Sequence, residues 1–340
     1  FLNALQWDGT ERIRFCLHRF LGSDTDDYTY EALKLFLLGA ISRAFKPGCK
    51  FEVMLCLVGG QGAGKSSFFR LLAVNDDWFS DDLKKLDDEN VYRKMQGHWI
   101  IEMSEMMATA NAKSIEEIKS FLSRQKETYK IPYETHPADR KRQCVFGGSS
   151  NTLDFLPLDR TGNRRFVPVM VYPERAEVHI LADEQASREY INQMWAEAME
   201  IYRSGNFRLR FSPAMNDYLK AHQKDFMPED TKAGQILDYL ERYSGSIVCS
   251  KQLYKEALGH DYDEPKQWEL REINDIMNNA VTGWRAFSNP RYFPEPYRRQ
   301  KGWERIRNDN EPDNSMDGFQ EIPTEEMEQL GLPEEWLKQK

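Results

Sequence analysis

The chain has 340 residues, 40% hydrophobic and 30% charged, with a formal net charge of −9. That is long enough for one large core and a smaller second module, so two or three globular domains are expected. No run approaches the roughly 18–20 consecutive apolar residues that span a bilayer, and no basic-then-apolar segment opens the sequence, so no membrane-spanning helix is expected within it.

In chain order, residues 1–50 read as a separate N-terminal helical region, a small cap ahead of the core. Thr10 to Leu21 repeats apolar residues at helical spacing and stops at Gly22, and Tyr28 to Phe45 does the same before Pro47-Gly48. The apolar run Val53 to Val58 leads into Gly59-Gly60-Gln61-Gly62-Ala63-Gly64-Lys65-Ser66-Ser67, and a helical pattern follows from Ser66 to Leu72. Further apolar runs lie at 98–105, at 143–148 leading into Ser149-Ser150-Asn151, and at 165–171, with a helix expected over 114–123. Short apolar strands separated by helices predict an α/β domain with a mostly parallel sheet over 51–205.

Over 206–307 a winged-helix-like module is expected, the pattern changing from Thr231. A helix spans 235–243, Ser250 caps a second over 251–258, and Pro265 opens a third through Val281. The stretches 283–287 and 301–306 then form a two-stranded wing around a basic, proline-containing loop. Residues 308–340 are an acidic tail with ten acids against Lys338 and Lys340, a balance of −8. That leaves about −1 for residues 1–307, so the total charge does not exclude DNA as a partner. Five cysteines (Cys16, Cys49, Cys56, Cys144, Cys249) contain no CxxC pair, which argues against a disulfide framework and a zinc site and for a reducing cytoplasm. Because it opens on Phe1, the chain is expected to be a segment of a longer protein.

The segment Gly59-x4-Gly64-Lys65-Ser66 satisfies every fixed position of the P-loop pattern, between a strand and a helix as that motif requires. Its glycines let backbone N–H groups converge on phosphate oxygens at a helix N-terminus. Lys65 is then expected to offset the β/γ-phosphates of ATP, and Ser66 to hold Mg²⁺. An acid must place the metal and polarise water. Glu102 and Glu105, at the end of the 98–105 run, are both candidates and spacing does not decide between them; Glu105, just past the strand, is expected to position or activate water, with Glu102 assisting at the metal. Asn151 is a candidate for orienting the attacking water. Arg164 and Arg165, in Thr161-Gly162-Asn163-Arg164-Arg165-Phe166, are candidate arginine fingers acting across a subunit boundary; which of the two acts is open.

These motifs, with Trp7-Asp8-Gly9-x-Glu11-Arg12, Pro47-Gly48-Cys49-Lys50 and Phe146-Gly147-Gly148-Ser149-Ser150-Asn151, resemble the virulence-associated protein E family of phages and phage-related chromosomal islands. The core of that family is similar to superfamily 3 helicases. The resemblance covers about residues 1–172. Glu-x-x-Glu replaces the contiguous acidic pair of that helicase class, which leaves the identity of the catalytic acid open.

The resemblance implies an AAA+-like P-loop NTPase and a hairpin between the acid and Asn151 that grips single-stranded DNA. Lys126, Tyr129, Lys130, Tyr133, Arg140, Lys141 and Arg142 interleave cations with aromatics there, as a phosphate-tracking, base-stacking surface does. Arg291, Arg298 and Arg299 in the wing are the matching candidates for origin duplex DNA. The expected function is a DNA-dependent ATPase or helicase replicating a mobile element as a ring homo-oligomer in the bacterial cytoplasm. An ATP-switched origin-binding initiator and an ATP-gated interaction module remain as alternatives.

Overall fold

The computed structural model describes residues 1–83, 86, 91–104, 112–129, 136, 138–158 and 163–306, with backbone alone for 112–114 and 129. Glu105, Lys130, Tyr133, Thr161, Gly162 and the acidic tail lie outside the described residues, as does the side chain of Tyr129. The chain divides into two compact units at Asp230/Thr231.

The first unit is built on a five-stranded sheet in the order β2-β3-β6-β1-β7, every neighbouring pair parallel. The strands are β1 (Met54–Val58), β2 (Phe79–Ser80), β3 (Ile100–Glu102), β6 (Val145–Ser150) and β7 (Phe166–Met170). β1 and β6 are buried at every position, as expected of parallel strands covered on both faces. Pro168 interrupts β7, which tolerates it because β7 lies at the edge of the sheet; its carbonyl accepts a 2.7 Å hydrogen bond from the Tyr28 hydroxyl.

Helices α1 (Ile13–Leu21) and α2 (Asp27–Phe45) share this core with the sheet. α2 is apolar nearly all round and correspondingly buried. Asp26 caps it, accepting from the Thr29 N–H at 2.8 Å. α1 has no side-chain cap of its own. Glu197 supplies one from the long helix α6 (Glu184–Ser204), its carboxylate accepting from the Arg12 and Ile13 N–H groups at 2.6 and 2.9 Å. Trp195 of α6 donates to the Leu72 carbonyl at 3.0 Å and stacks on Trp99 at 4.5 Å. These ties correct the expectation of a separate helical region over 1–50: it is one core with residues 51–205.

The boundary expected at 205/206 also moves, to 230/231. Helix α7 (Pro213–His222) and the turn after it return to the first unit. There Gln223 donates to the carbonyls of Asn163 and Phe166 at 2.8 and 2.6 Å, and Phe226 is buried against Phe155. Further helices of this unit are α3 (Lys65–Leu72), α4 (Val91–Met95) and α5 (Ala112–Leu122). From α5 the chain enters an antiparallel hairpin of β4 (Lys126–Tyr129) and β5 (Ala138–Lys141), then β6.

The second unit runs α8 (Thr231–Arg242), β8 (Ile247–Cys249), a short helix from Ser250 ending in a π-turn over Leu253–Ala257, and α10 (Gln267–Asn279). Counting that short helix (Ser250–Gln252) as α9, three helices precede β9 (Trp284–Ala286) and β12 (Gly302–Arg305). The last two strands do not form a two-stranded wing alone. β12 lies between β8 and β9 in a three-stranded antiparallel sheet, and the intervening loop carries a hairpin of β10 (Arg291–Phe293) and β11 (Arg298–Gln300). Ser250 does not cap a helix; its hydroxyl bonds Asn274 Oδ1 at 2.6 Å. α10 is instead capped at Lys266, whose N–H donates to Glu269 at 2.6 Å.

Candidate functional site

The glycine-rich segment leaves the carboxyl end of β1 and turns directly into helix α3 (Lys65–Leu72). Gly59 packs where a Cβ would meet the Val171 carbonyl at 2.5 Å. Gly64, with φ 78°, takes the left-handed conformation that starts the helix. The helix N-terminus and its unpaired N–H groups therefore face the space beyond the strand ends, where ligands of open α/β sheets bind.

That space is a cavity of about 560 Å³ lined by residues 61–67 together with Ser104, Ser149, Asn151, His179 and Leu181. Lys65 is buried, and its Nζ donates to the carbonyls of Gly59 and Gly60, both at 2.7 Å, and to Asn151 Oδ1 at 3.0 Å. Burial holds its pKa below the ordinary lysine value, with Glu102 opposing that shift. Glu102, at the end of β3, is 1% exposed. Its Oε1 accepts from the hydroxyls of Ser66 at 2.8 Å and Ser149 at 2.5 Å. Its Oε2 is buried with no hydrogen-bond partner among the described residues. Burial raises the carboxyl pKa against the two serine bonds.

Sheet topology explains this convergence. β6 is inserted between β1 and β3, so Ser149 and Asn151 from its end stand between the glycine-loop lysine and the β3 carboxylate. Residues expected at widely separated sequence positions (Lys65, Ser66, Glu102 and Asn151) thus meet in one place. Ser149 joins them without having been singled out for a role; a hydroxyl-rich strand end was its only signal. Nothing in the sequence pointed to His179 or Leu181.

Arg164 and Arg165 lie elsewhere. The Arg165 carbonyl accepts from the Met54 N–H at 2.7 Å, which places both arginines at the amino end of β1 and β7. The length of β1 separates them from their own glycine loop by roughly 13 Å. Both pair with Glu52, at 3.3 and 3.5 Å, and Arg165 also donates to Ser123 at 3.0 Å.

The β4–β5 hairpin springs from this same amino edge, next to the start of β6. Lys126 pairs with Asp139, Lys141 is exposed and Arg140 is half-buried. Arg142 corrects an expectation. It is buried, paired with Glu127, bonded to the Phe121 carbonyl at 2.7 Å and laid over Phe121 and Phe146, so it anchors the hairpin base and offers no charge to a nucleic acid.

In the second unit, Arg291 pairs with Glu304 at 2.8 Å and Arg298 with Glu295 at 3.2 Å, while Arg299 is exposed. The outward residues of α10 include Trp268, Arg271 and Asp275.

All five cysteines are free thiols. Among the described residues no group of three or more His, Cys, Asp and Glu could hold a metal ion, and no helix is long and apolar enough to cross a membrane.

The molecule is thus a mixed α/β protein whose parallel sheet carries a glycine-rich loop, a buried lysine and a buried carboxylate at its carboxyl edge. It belongs to the virulence-associated protein E-like domain family, whose model matches residues 2–228, ending beside the boundary of the first unit. No curated protein matches the sequence. Among solved structures, it is similar to the A-form apo structure of the NrS-1 C-terminal region, with 13% identity and a TM-score of 0.51 over 90% of this chain and 78% of that one. An apo structure of the NrS-1 C-terminal region (305–718) aligns over the same shares at 13% identity and a TM-score of 0.48. At such identity the likeness is one of fold.

Proposed function

We propose that the chain is a P-loop ATPase acting on DNA in the replication of a phage or related mobile element. The observation that supports this best is the meeting of Lys65, Ser66, Glu102, Ser149 and Asn151 around the glycine loop. A buried carboxylate with one orphaned oxygen beside a serine hydroxyl suits Mg²⁺, which in nucleotide sites takes one or two protein oxygens and completes its shell with water and phosphate. When bound, Mg²⁺ would neutralise charge on the transferring phosphoryl group.

The protein's own groups divide the work. Lys65 would exchange its bonds to Gly59 and Gly60 for phosphate oxygens. Ser66 would turn from Glu102 to the metal, freeing Glu102 to hold it or its water. Asn151, released by Lys65, would orient the attacking water. Glu105 remains a second candidate for the acid. Because Arg164 and Arg165 stand at the opposite edge of the sheet, they would act on a neighbouring subunit's nucleotide, which is the geometry of a ring. Single-stranded DNA would run along the hairpin through Lys126, Arg140 and Lys141, and the basic wing of the second unit would meet duplex DNA, as in a winged helix.

One observation favours the alternative in which ATP switches assembly of an origin-binding initiator without translocation: Lys126 is already paired within the hairpin. The deciding experiment measures ATP turnover with and without single-stranded DNA, alongside sizing with a non-hydrolysable analogue. Stimulation by single strands with a larger assembly supports the helicase reading. Turnover indifferent to DNA supports the switch, and no nucleotide binding refutes both.

A further inference from the structure

One wall of the glycine-loop cavity is formed neither by the loop nor by the carboxylate. After β7 the chain doubles back along α1, the Tyr172 and Val178 N–H groups donating to the Leu21 and Arg19 carbonyls at 2.9 and 3.2 Å. Ile180, fully buried, seats this return: its Cγ2 lies 3.4 Å from where a Cβ on Gly64 would stand. Its carbonyl is held by the Ser187 hydroxyl at 2.8 Å. His179 and Leu181 flank it, exposed, and both line the cavity. The Leu181 N–H donates to His179 Nδ1 at 3.2 Å, which fixes the imidazole on its loop.

We infer that His179 and Leu181 form the shelf on which the base of the bound nucleoside triphosphate lies. The inference rests on the nucleotide-site reading above. An exposed ring and an exposed leucine, presented by a pinned backbone beside a phosphate cradle, match the flat apolar face of a purine. A surface that stacks on the face of a base, and does not read its edge, would accept adenine and guanine alike. Stacking is tolerant of sequence because every base has a π-face.

The test is calorimetric titration of the whole chain, with Mg²⁺, by a non-hydrolysable ATP analogue, its GTP counterpart and inorganic tripolyphosphate. His179→Ala should weaken both nucleotides about tenfold and leave tripolyphosphate unchanged, while His179→Phe restores nucleotide affinity and Leu181→Ala repeats the loss more mildly. Unchanged nucleotide affinity in His179→Ala overturns the shelf, and so does an equal loss for tripolyphosphate, which would place the residue's effect on the phosphates. Failure of the unsubstituted chain to bind either nucleotide or tripolyphosphate overturns the nucleotide-site reading itself, and the shelf with it.

Discussion

The two edges of the central sheet are made from the same five strands and treat charge in opposite ways. At the amino edge, charges answer one another: Glu52 with Arg164 and Arg165, Lys126 with Asp139, Arg142 with Glu127. At the carboxyl edge they do not. Lys65 rests on backbone carbonyls and an amide, and Glu102 keeps one buried oxygen without a partner. Buried charged groups without a direct ion pair are costly to keep, and Lys65 and Glu102 offset each other only through space, so the two of them beside the cavity mark it as the candidate binding site. The amino edge is held together by its own ion pairs.

The largest effect should come from the carboxyl edge. On the proposed nucleotide reading, Lys65→Ala removes the cation beside the glycine loop and should reduce nucleotide turnover by at least a hundredfold with the fold intact by circular dichroism. Turnover within a factor of two of the unsubstituted chain would remove the distinction between the edges.

Next is Arg164, whose side chain is 70% exposed although it touches Glu52. Arg164→Ala should leave thermal stability and nucleotide affinity nearly unchanged but lower turnover by about 10³ if it reaches a neighbour's nucleotide. Mixing it with Lys65→Ala chains should then restore some activity, since one mixed interface keeps an intact site. Mixed oligomers without recovery would confine the amino edge to structure. Arg165 is the poorer test, because its bonds to Ser123 and Glu52 make its loss a stability change as well.

A smaller effect is expected at the hairpin. Replacing Lys126 and Lys141 should weaken single-strand binding across sequences and flatten its logarithmic salt dependence by about one unit per lost phosphate contact. Replacing Arg291, Arg298 and Arg299 should act on duplex binding instead. If the hairpin changes moved neither single-strand affinity nor DNA-stimulated turnover, the assembly switch would be the better account.

Legibility in the sequence follows the same division. Four of the five strands of the parallel sheet (β1, β3, β6 and β7), α2, α3 and the glycine loop were readable because each rests on local pattern: buried parallel strands are apolar runs, and the loop needs glycine at fixed places; the two-residue β2 was too short to leave one. What was not readable depends on contacts distant in sequence. Glu197 caps α1 from 184 residues away along the chain, so residues 1–50 looked separable when they are not. Arg142 looked like its basic neighbours because its partner Glu127 and the rings beneath it become visible only once the hairpin is folded. Ser149 and His179 come to the cavity through the insertion of β6 beside β1 and the return of the chain along α1; a hydroxyl-rich strand end hints at the first, and nothing in local sequence marks the second.

The smallest effect is the most direct probe of the carboxylate whose second oxygen has no partner among the described residues. Burial raises the Glu102 pKa, and the bonds from Ser149 and Ser66 only partly offset it. A carboxyl whose folded pKa exceeds its unfolded value leaves the fold unpenalised at low pH and costs stability as pH rises through the folded value. Glu102→Gln cannot ionise and keeps an Oε1 for both serines, although its amide nitrogen, in the place of Oε2, gains no acceptor and so gives back part of the benefit. In chelator, its melting midpoint should therefore exceed that of the unsubstituted chain at neutral pH by about 2–4 °C per net kcal/mol, and the gap should close as pH falls into the carboxylate range. Mg²⁺ with a non-hydrolysable ATP analogue should reverse the order, because only the carboxylate then has a cation to hold. A midpoint lowered equally at every pH would mean that Glu102 is an ordinary structural acceptor, and that the carboxyl edge is as self-sufficient as the amino one.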